Sequence, residues 1–352
     1  MKIVIAGNYG AGNLGDELIL EGLLETLNDI VPKAKITVLT ARPQFTKKRF
    51  SKYDIKTRYK VPAGIRSLLK NLLNGQLKKT LRAIKKSDYF ILGGGGLFDE
   101  TTKKAIWIWG TQARAAYHYK KPVIMYGQSI SNLKSNWAKK RIKKYFRKAE
   151  LIAVRDLESK QDLKRLIRGK KIISMPDLIF KIRKLQVASQ SQGQKTLIAL
   201  RALTNQKAEE EIQKFIKNNE QNLTHIQFQK TKENVSVYTS NLDKILNKYH
   251  NSKAIIATRL HAILMAVCTG TPFIAINYNP KVQNILDALN LAEYMINPEE
   301  ITAENLQRKL QEIKENHKEI SQRLKRIAET QLQKHENVEK HLSQALNIKP
   351  LQ

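Results

Sequence analysis

The sequence contains one cysteine, three tryptophans and nine prolines in 352 residues. Cys268 alone permits no intramolecular disulfide and no cysteine-based metal cluster, which fits a reducing compartment. No apolar run reaches the length that crosses a bilayer. Acidic residues are scarce: 31 Asp and Glu stand against 63 Lys and Arg, a formal net charge of +32. That excess selects anionic partners, whether nucleic acid, lipid headgroups or anionic substrates. Zinc-finger spacing, an RNA-recognition signature and aromatic platforms amid the basic runs are all missing, so no specific nucleic acid is expected. A basic surface against an anionic membrane is the more specific expectation. The N-terminal MKIVIAGNYG has too short an apolar run for a signal segment and reads as a first strand. A cytoplasmic location is expected, peripheral on the inner face of the cell membrane.

What is present is organised around 254–282, AIIATRLHAILMAVCTGTPFIAINYNPKV. AIIAT and PFIAIN read as buried parallel strands, each rich in β-formers and bounded by turn signals. LHAILMAVCTG between them reads as a helix stopped by Gly270. A second helix starts with Asn279 as its cap and Pro280 at its first position. The crossover brings both helix N-termini to one edge of the sheet. Arg259 and His261 belong to the first, Asn279 and Lys281 to the second. Two helix dipoles and three basic side chains there suit a small, multiply charged anion.

Along the rest of the chain, KIVIAG (2–7) is a strand leading into a formal GxGxxG at residues 10–15. A dinucleotide site is disfavoured: Asn8 and Tyr9 intervene after the strand, and the next strand, KITVLT (35–40), ends without an acidic residue for a ribose. Arg42 leaves an NADP reading open there. Residues 45–87 are basic and partly helical, interrupted at Gly75, and are expected to cover the sheet. DYFILGGGGLFDE (88–100) runs a strand into Gly93, Gly94, Gly95 and Gly96, read as a loop whose backbone approaches a ligand. LIAVRD places Arg155 at another strand end, with Asp156 as a helix cap, and KTLIALRA does the same for Arg201. His335 and His341 lie six apart on different helix faces and make no metal pair.

These alternations imply an α/β protein of two Rossmann-like, doubly wound domains facing a cleft. The expected boundaries are 1–180, a polar linker at 181–194, 195–300, and a helical tail at 301–352.

RLHAILMAVCTGTPFIAINYNPKV resembles the signature of the polysaccharide pyruvyl transferase family, (M)RLHxxxxAxxxGxPxxxIxYDPKV, with Asn279 in place of its Asp. The opening loop is similar to that family's GxxGxxNxGDE, with Asn13, Gly15, Asp16 and Glu17 in place. Residues 93–100 resemble its GGGxLxxD, with Glu100 where the Asp stands and Asp99 beside it. Arg155, Asp156 and Ser159 match its SVRDxxS, whereas SISNL (129–133) lacks its Gly-Pro. The resemblance implies a GT-B-like architecture and transfer of a pyruvyl group from phosphoenolpyruvate to two sugar hydroxyls. The products are a cyclic ketal and phosphate. Phosphoenolpyruvate is then a co-substrate, and neither a cofactor nor a metal is expected.

On that reading His261 is the general acid, while Lys281 and Arg155 clamp the phosphate and carboxylate, with Arg201, Arg259 and Asn279 beside them. Asn13, Gly15, Asp16, the four glycines and Glu100 hold the acceptor, a saccharide of a cell-surface polymer or its lipid-linked precursor. Two alternatives stand against it: a nucleotide-sugar glycosyltransferase of the same architecture, and a catalytically inactive protein that binds anionic polymers. Oligomeric state is not legible in the sequence.

Overall fold

The apolar runs become the strands of two all-parallel sheets. The computed structural model describes residues 1–186, 193–229 and 241–348. The chain divides into two compact units, Met1–Lys181 with Leu332–Gln352, and Ile182–Gln331.

The first unit holds β1 (Lys2–Ala6), β2 (Lys35–Thr40), β3 (Ile55–Tyr59), β4 (Tyr89–Asp99), β5 (Val123–Ser131), β6 (Leu151–Val154) and β7 (Ile173–Ser174). Their order is β3-β2-β1-β4-β5-β6-β7, every pair parallel. Successive residues face opposite sides, so each strand feeds two cores. Val4, Phe90, Leu92 and Met125 join one core with Ile106, Ala113, Ile142 and Tyr145 of the helices on that face. Ile3, Ile5, Ile91 and Ile124 join the other, with Ile19, Leu23 and Leu27 of helix Leu14–Ile30. Both faces are covered, as a parallel sheet requires. The order reverses between β1 and β4, the topological switch point beside which such sheets bind ligands.

Part of the 45–87 stretch is sheet. Ile55 and Thr57 turn inward in β3 while Lys56 faces out, the alternation of an edge strand. Helices Ile65–Leu73 and Gln76–Lys85 follow, separated at Gly75, whose φ of +62° suits glycine.

The second unit holds β8 (Lys195–Ala199), β9 (Leu223–His225), β10 (Ser252–Ala257), β11 (Phe273–Ile276) and β12 (Met295–Ile296). Their order is β12-β11-β10-β8-β9, again parallel throughout. Helix Leu260–Thr269 is buried almost all round and stops at Gly270, which has a φ of +67°. Helix Pro280–Ala288 starts at the expected Asn279 and Pro280.

Residues 187–192 of the expected linker lie outside the described residues. The expected tail forms helices Ala303–Glu315 and His317–Ala345, and neither stands apart. Leu306, Leu310, Leu324 and Ala328 are buried in the second unit, while Val338, Leu342 and Leu346 join a core of the first. A continuous apolar stripe along these helices needs such burial.

Candidate functional site

In the second unit three strand ends line up. Ala199 of β8 pairs with Ala257 of β10, and Ala257 with Ala275 of β11. Arg201 and Arg259 each stand two residues past the paired alanine of their strand, and Tyr278 three past that of β11. The Arg201 guanidinium lies 5.1 Å from the Tyr278 ring centroid, a cation–π contact. The Arg201 backbone N–H donates to Thr258 Oγ1 at 2.8 Å, which ties the first two strand ends together.

Arg259 caps helix Leu260–Thr269, and its Nη2 donates to Gln229 Oε1 at 3.0 Å. Its Nε is buried and has no acceptor among the described residues. Burial, and to a lesser degree the Arg201 charge, lowers the Arg259 pKa from its ordinary value, while Tyr278 acts the other way. A desolvated guanidinium beside a second cation gains most from an anion placed against it.

His261 and Lys281 each stand second in their helices. The Asn279 side chain accepts from the Lys281 backbone N–H at 3.0 Å, so the amide performs the capping that a carboxylate would. Arg201, Arg259, His261, Asn279 and Lys281 thus share one edge of one sheet, as the sequence implied. Tyr278 was overlooked, although it lies inside the YNPKV run.

The first unit carries a different group, beside the switch point. Asn13 caps helix Leu14–Ile30 by accepting from the Gly15 N–H at 3.0 Å. Asp16 is buried and its Oδ2 accepts from Asn8 Nδ2 at 2.8 Å. Burial raises the Asp16 pKa to about 6, opposed by the Asn8 hydrogen bond and the Arg155 charge. Glu17 is fully buried and accepts the Gly10 N–H at 2.7 Å through Oε1. Its Oε2 has no partner among the described residues. Burial raises its pKa to about 7, with Arg49 and the Gly10 hydrogen bond opposing. Lys60, just past β3, is lowered by its own burial, against the attraction of both carboxylates.

The four glycines are not a loop: they lie inside β4, irregularly paired with β5 between Gly95 and Phe98. Packing explains the first two: a Cβ on Gly93 would sit 2.5 Å from the Tyr9 hydroxyl, and one on Gly94 2.4 Å from Ile19 Cγ2. Gly95, at a φ of +97°, stays close to the site, since its Cβ would lie 3.3 Å from Asp16 Oδ1. Glu100 is engaged elsewhere, with Oε2 accepting the backbone N–H groups of Lys134 and Ser135 at 2.6 and 2.9 Å. Those hydrogen bonds, with that of the Ser135 side chain foremost, lower its pKa.

Arg155 is also occupied. Its Nη1 pairs with Asp177 at 2.8 Å and its Nε donates to Ser129 Oγ at 2.6 Å, both charged side chains nearly inaccessible. It belongs to the first unit, whereas His261 and Lys281 belong to the second. Asp177, 22 residues on, gave no local signal of the pairing.

The sequence profile of the polysaccharide pyruvyl transferases matches residues 13–280. The chain belongs to that family. The match spans Asn13, Asp16, Arg155, Arg201, Arg259, His261 and Asn279, while Lys281 lies one residue beyond it. Among the curated proteins none matches this pyruvyl transferase family member.

Solved structures resemble it in fold. HepE of Anabaena, in complex with UDP and glucose, is 11% identical over 99% of both chains, with a TM-score of 0.58. MnaA of S. aureus, solved with UDP, is 11% identical over 100% of this chain and 98% of its own, with a TM-score of 0.64. MurG of Acinetobacter baumannii is 11% identical over 96% and 98%, with a TM-score of 0.51. The likeness establishes a GT-B-like fold.

Proposed function

We propose that this family member transfers a pyruvyl group from phosphoenolpyruvate to two hydroxyls of one sugar. The acceptor is a saccharide of a cell-surface polysaccharide or of its lipid-linked precursor. One observation carries the donor assignment: Arg201 and Arg259 stand at adjacent strand ends with a buried Arg259 Nε awaiting an acceptor, beside two helix N-termini. Phosphoenolpyruvate offers a phosphate and a carboxylate to such a set.

In the reaction, His261 donates a proton to the methylene carbon, which becomes a methyl group and leaves an oxocarbenium-like centre at C2. One sugar hydroxyl adds to C2 and loses its proton. The C2–O bond to phosphate then breaks, with Lys281 and Arg259 stabilising the departing charge. The second hydroxyl closes the ketal, and its proton balances the phosphate released. Asp16 is the acceptor-side carboxylate, partly kept charged by Asn8 and Arg155. Arg155 was expected in the phosphate clamp. Its ion pair with Asp177 favours a positioning role in its own unit.

The test is phosphorus NMR of phosphoenolpyruvate with an acceptor glycan library. Acceptor-dependent release of phosphate, lost in His261→Ala, is expected. Release without acceptor, or none with any glycan, argues against the reaction. A second reading, a nucleotide-sugar glycosyltransferase, draws on the fold shared with HepE and MnaA, whose structures hold UDP. Turnover of a UDP-sugar would favour it.

A further inference from the structure

Two long stretches of one charge sign accompany the helix with the most exposed leucines among the described residues. Residues 55–87 contain ten Lys and Arg and no Asp or Glu, and residues 101–149 contain thirteen and none. Within the first lies helix Ile65–Leu73. Leu68, Leu69, Leu72 and Leu73 recur at i and i+4 along one side of it, 38%, 56%, 55% and 87% exposed. Ser67 and Asn71 occupy the other side, and Arg66 flanks Leu69 and Leu73 at i+3 and i+7. Four exposed leucines on one helical side are not a stray surface residue but a patch.

The patch is held on a firm base, and a basic helix follows it. Gln112 makes two hydrogen bonds to Val61, one to its N–H and one to its carbonyl. Trp107 Nε1 donates to the Ala63 carbonyl at 2.9 Å, so the chain entering the helix is pinned to helix Lys103–His118. Trp107 is itself 38% exposed, with Arg114 and Arg141 both within 6 Å of its ring. Helix Gln76–Lys85 buries Leu77, Thr80 and Ile84 and leaves Lys78, Lys79, Arg82 and Lys85 outside.

We propose that helix Ile65–Leu73 docks this protein on an anionic lipid bilayer, its leucines entering the headgroup region while the surrounding Lys and Arg meet the lipid phosphates. Apolar side chains on one side, cations around them and an indole at the border form the composition of an interfacial helix. A protein partner would have to be strongly acidic and apolar at once, whereas an anionic membrane surface supplies both properties together. No helix among the described residues is long and apolar enough to cross the membrane, so the contact lies on the surface. The inference is independent of the donor chemistry proposed above, and its test uses no phosphoenolpyruvate.

The test is co-sedimentation of the full chain with phosphatidylglycerol-containing vesicles and with pure phosphatidylcholine vesicles. Binding to the first, weakened by salt, is expected. Leu69→Glu/Leu72→Glu should reduce it about tenfold or more, since both leucines forfeit apolar burial. The variant should keep the wild-type unfolding midpoint, because both residues are exposed. A Leu72→Trp variant gives a second readout: a blue-shifted emission on adding the anionic vesicles, above that of the wild type. Unchanged binding of the double variant, or no blue shift from the tryptophan variant beyond the wild type, would overturn the proposal. So would light scattering that shows a wild-type dimer converted to monomer by the same leucine substitutions.

Discussion

Arg155 and Asp177 form an ion pair at 2.8 Å with side chains only 5% and 4% exposed. Asp177 also accepts the Ile179 N–H through its other oxygen at 3.0 Å, and its backbone carbonyl lies 3.0 Å from His335 Nε2. The pair therefore joins the end of β6 to the short turn at Leu178–Lys181 and to the last helix of the chain. Removing one partner leaves a buried charge, which costs about 3–5 kcal/mol. Asp177→Ala should lower the urea midpoint accordingly, without any ligand present. Arg155→Met/Asp177→Leu, which removes both charges, should recover most of that loss. A wild-type midpoint for Asp177→Ala would show that the pair does not hold the fold.

Asn279 predicts a smaller effect. It caps helix Pro280–Ala288 through the Lys281 N–H. Asn279→Ala should cost about 1 kcal/mol in urea unfolding, and Asn279→Asp should hold or slightly raise stability, because a carboxylate caps equally well and complements the helix dipole. An Asp variant less stable than Ala would contradict the cap.

Glu17 and His335 predict opposite pH dependences. The Glu17 pKa is raised by burial to about 7, so its protonated form is favoured in the folded state. Its contribution is fully present below the unfolded carboxyl value and fades as pH rises toward 7. His335 is lowered by burial to about 4, so its contribution is present above its unfolded value and fades as pH falls toward 4. Glu17→Gln should flatten the loss of stability on the rising side by roughly 3 kcal/mol, and His335→Gln the loss on the acid side by a similar amount. Urea unfolding of each variant across pH 4 to 8 reads both, and parallel wild-type and variant curves would refute the assignment.

Gly94 predicts a packing loss. A Cβ there meets Ile19 at 2.4 Å, so Gly94→Ala should destabilise by about 1–3 kcal/mol, whether or not ligand is present. Equal stability with weakened acceptor binding would restore the ligand-loop reading of the glycines.

That reading shows where sequence alone stopped. Strand β4 runs through all four glycines, and at Gly93 and Gly94 Tyr9, Ile19 and Leu23 come from elsewhere in the chain to fill the space a side chain would need. Glycine has the same letter in a tight packing site as in a phosphate loop. The partner of Arg155 was equally out of reach, since Asp177 lies beyond any helical or strand period. The unit from Ser252 to Ala288 was legible because its signals are local: two apolar runs, Gly270 at a left-handed stop, and Asn279-Pro280 at a start. Those signals placed Arg259, His261 and Lys281 on one edge. They did not reach Tyr278 or the second core face that the C-terminal helix covers.

The central claim is that the second unit's basic edge receives phosphoenolpyruvate. Isothermal titration calorimetry of the wild type and Arg259→Met with phosphoenolpyruvate, and of both with UDP, addresses it most directly. Phosphoenolpyruvate should bind the wild type and lose about tenfold or more in affinity in Arg259→Met, as expected when a charge-assisted contact of a desolvated guanidinium is removed. Binding of UDP with no heat from phosphoenolpyruvate would contradict the claim and assign that edge to a nucleotide.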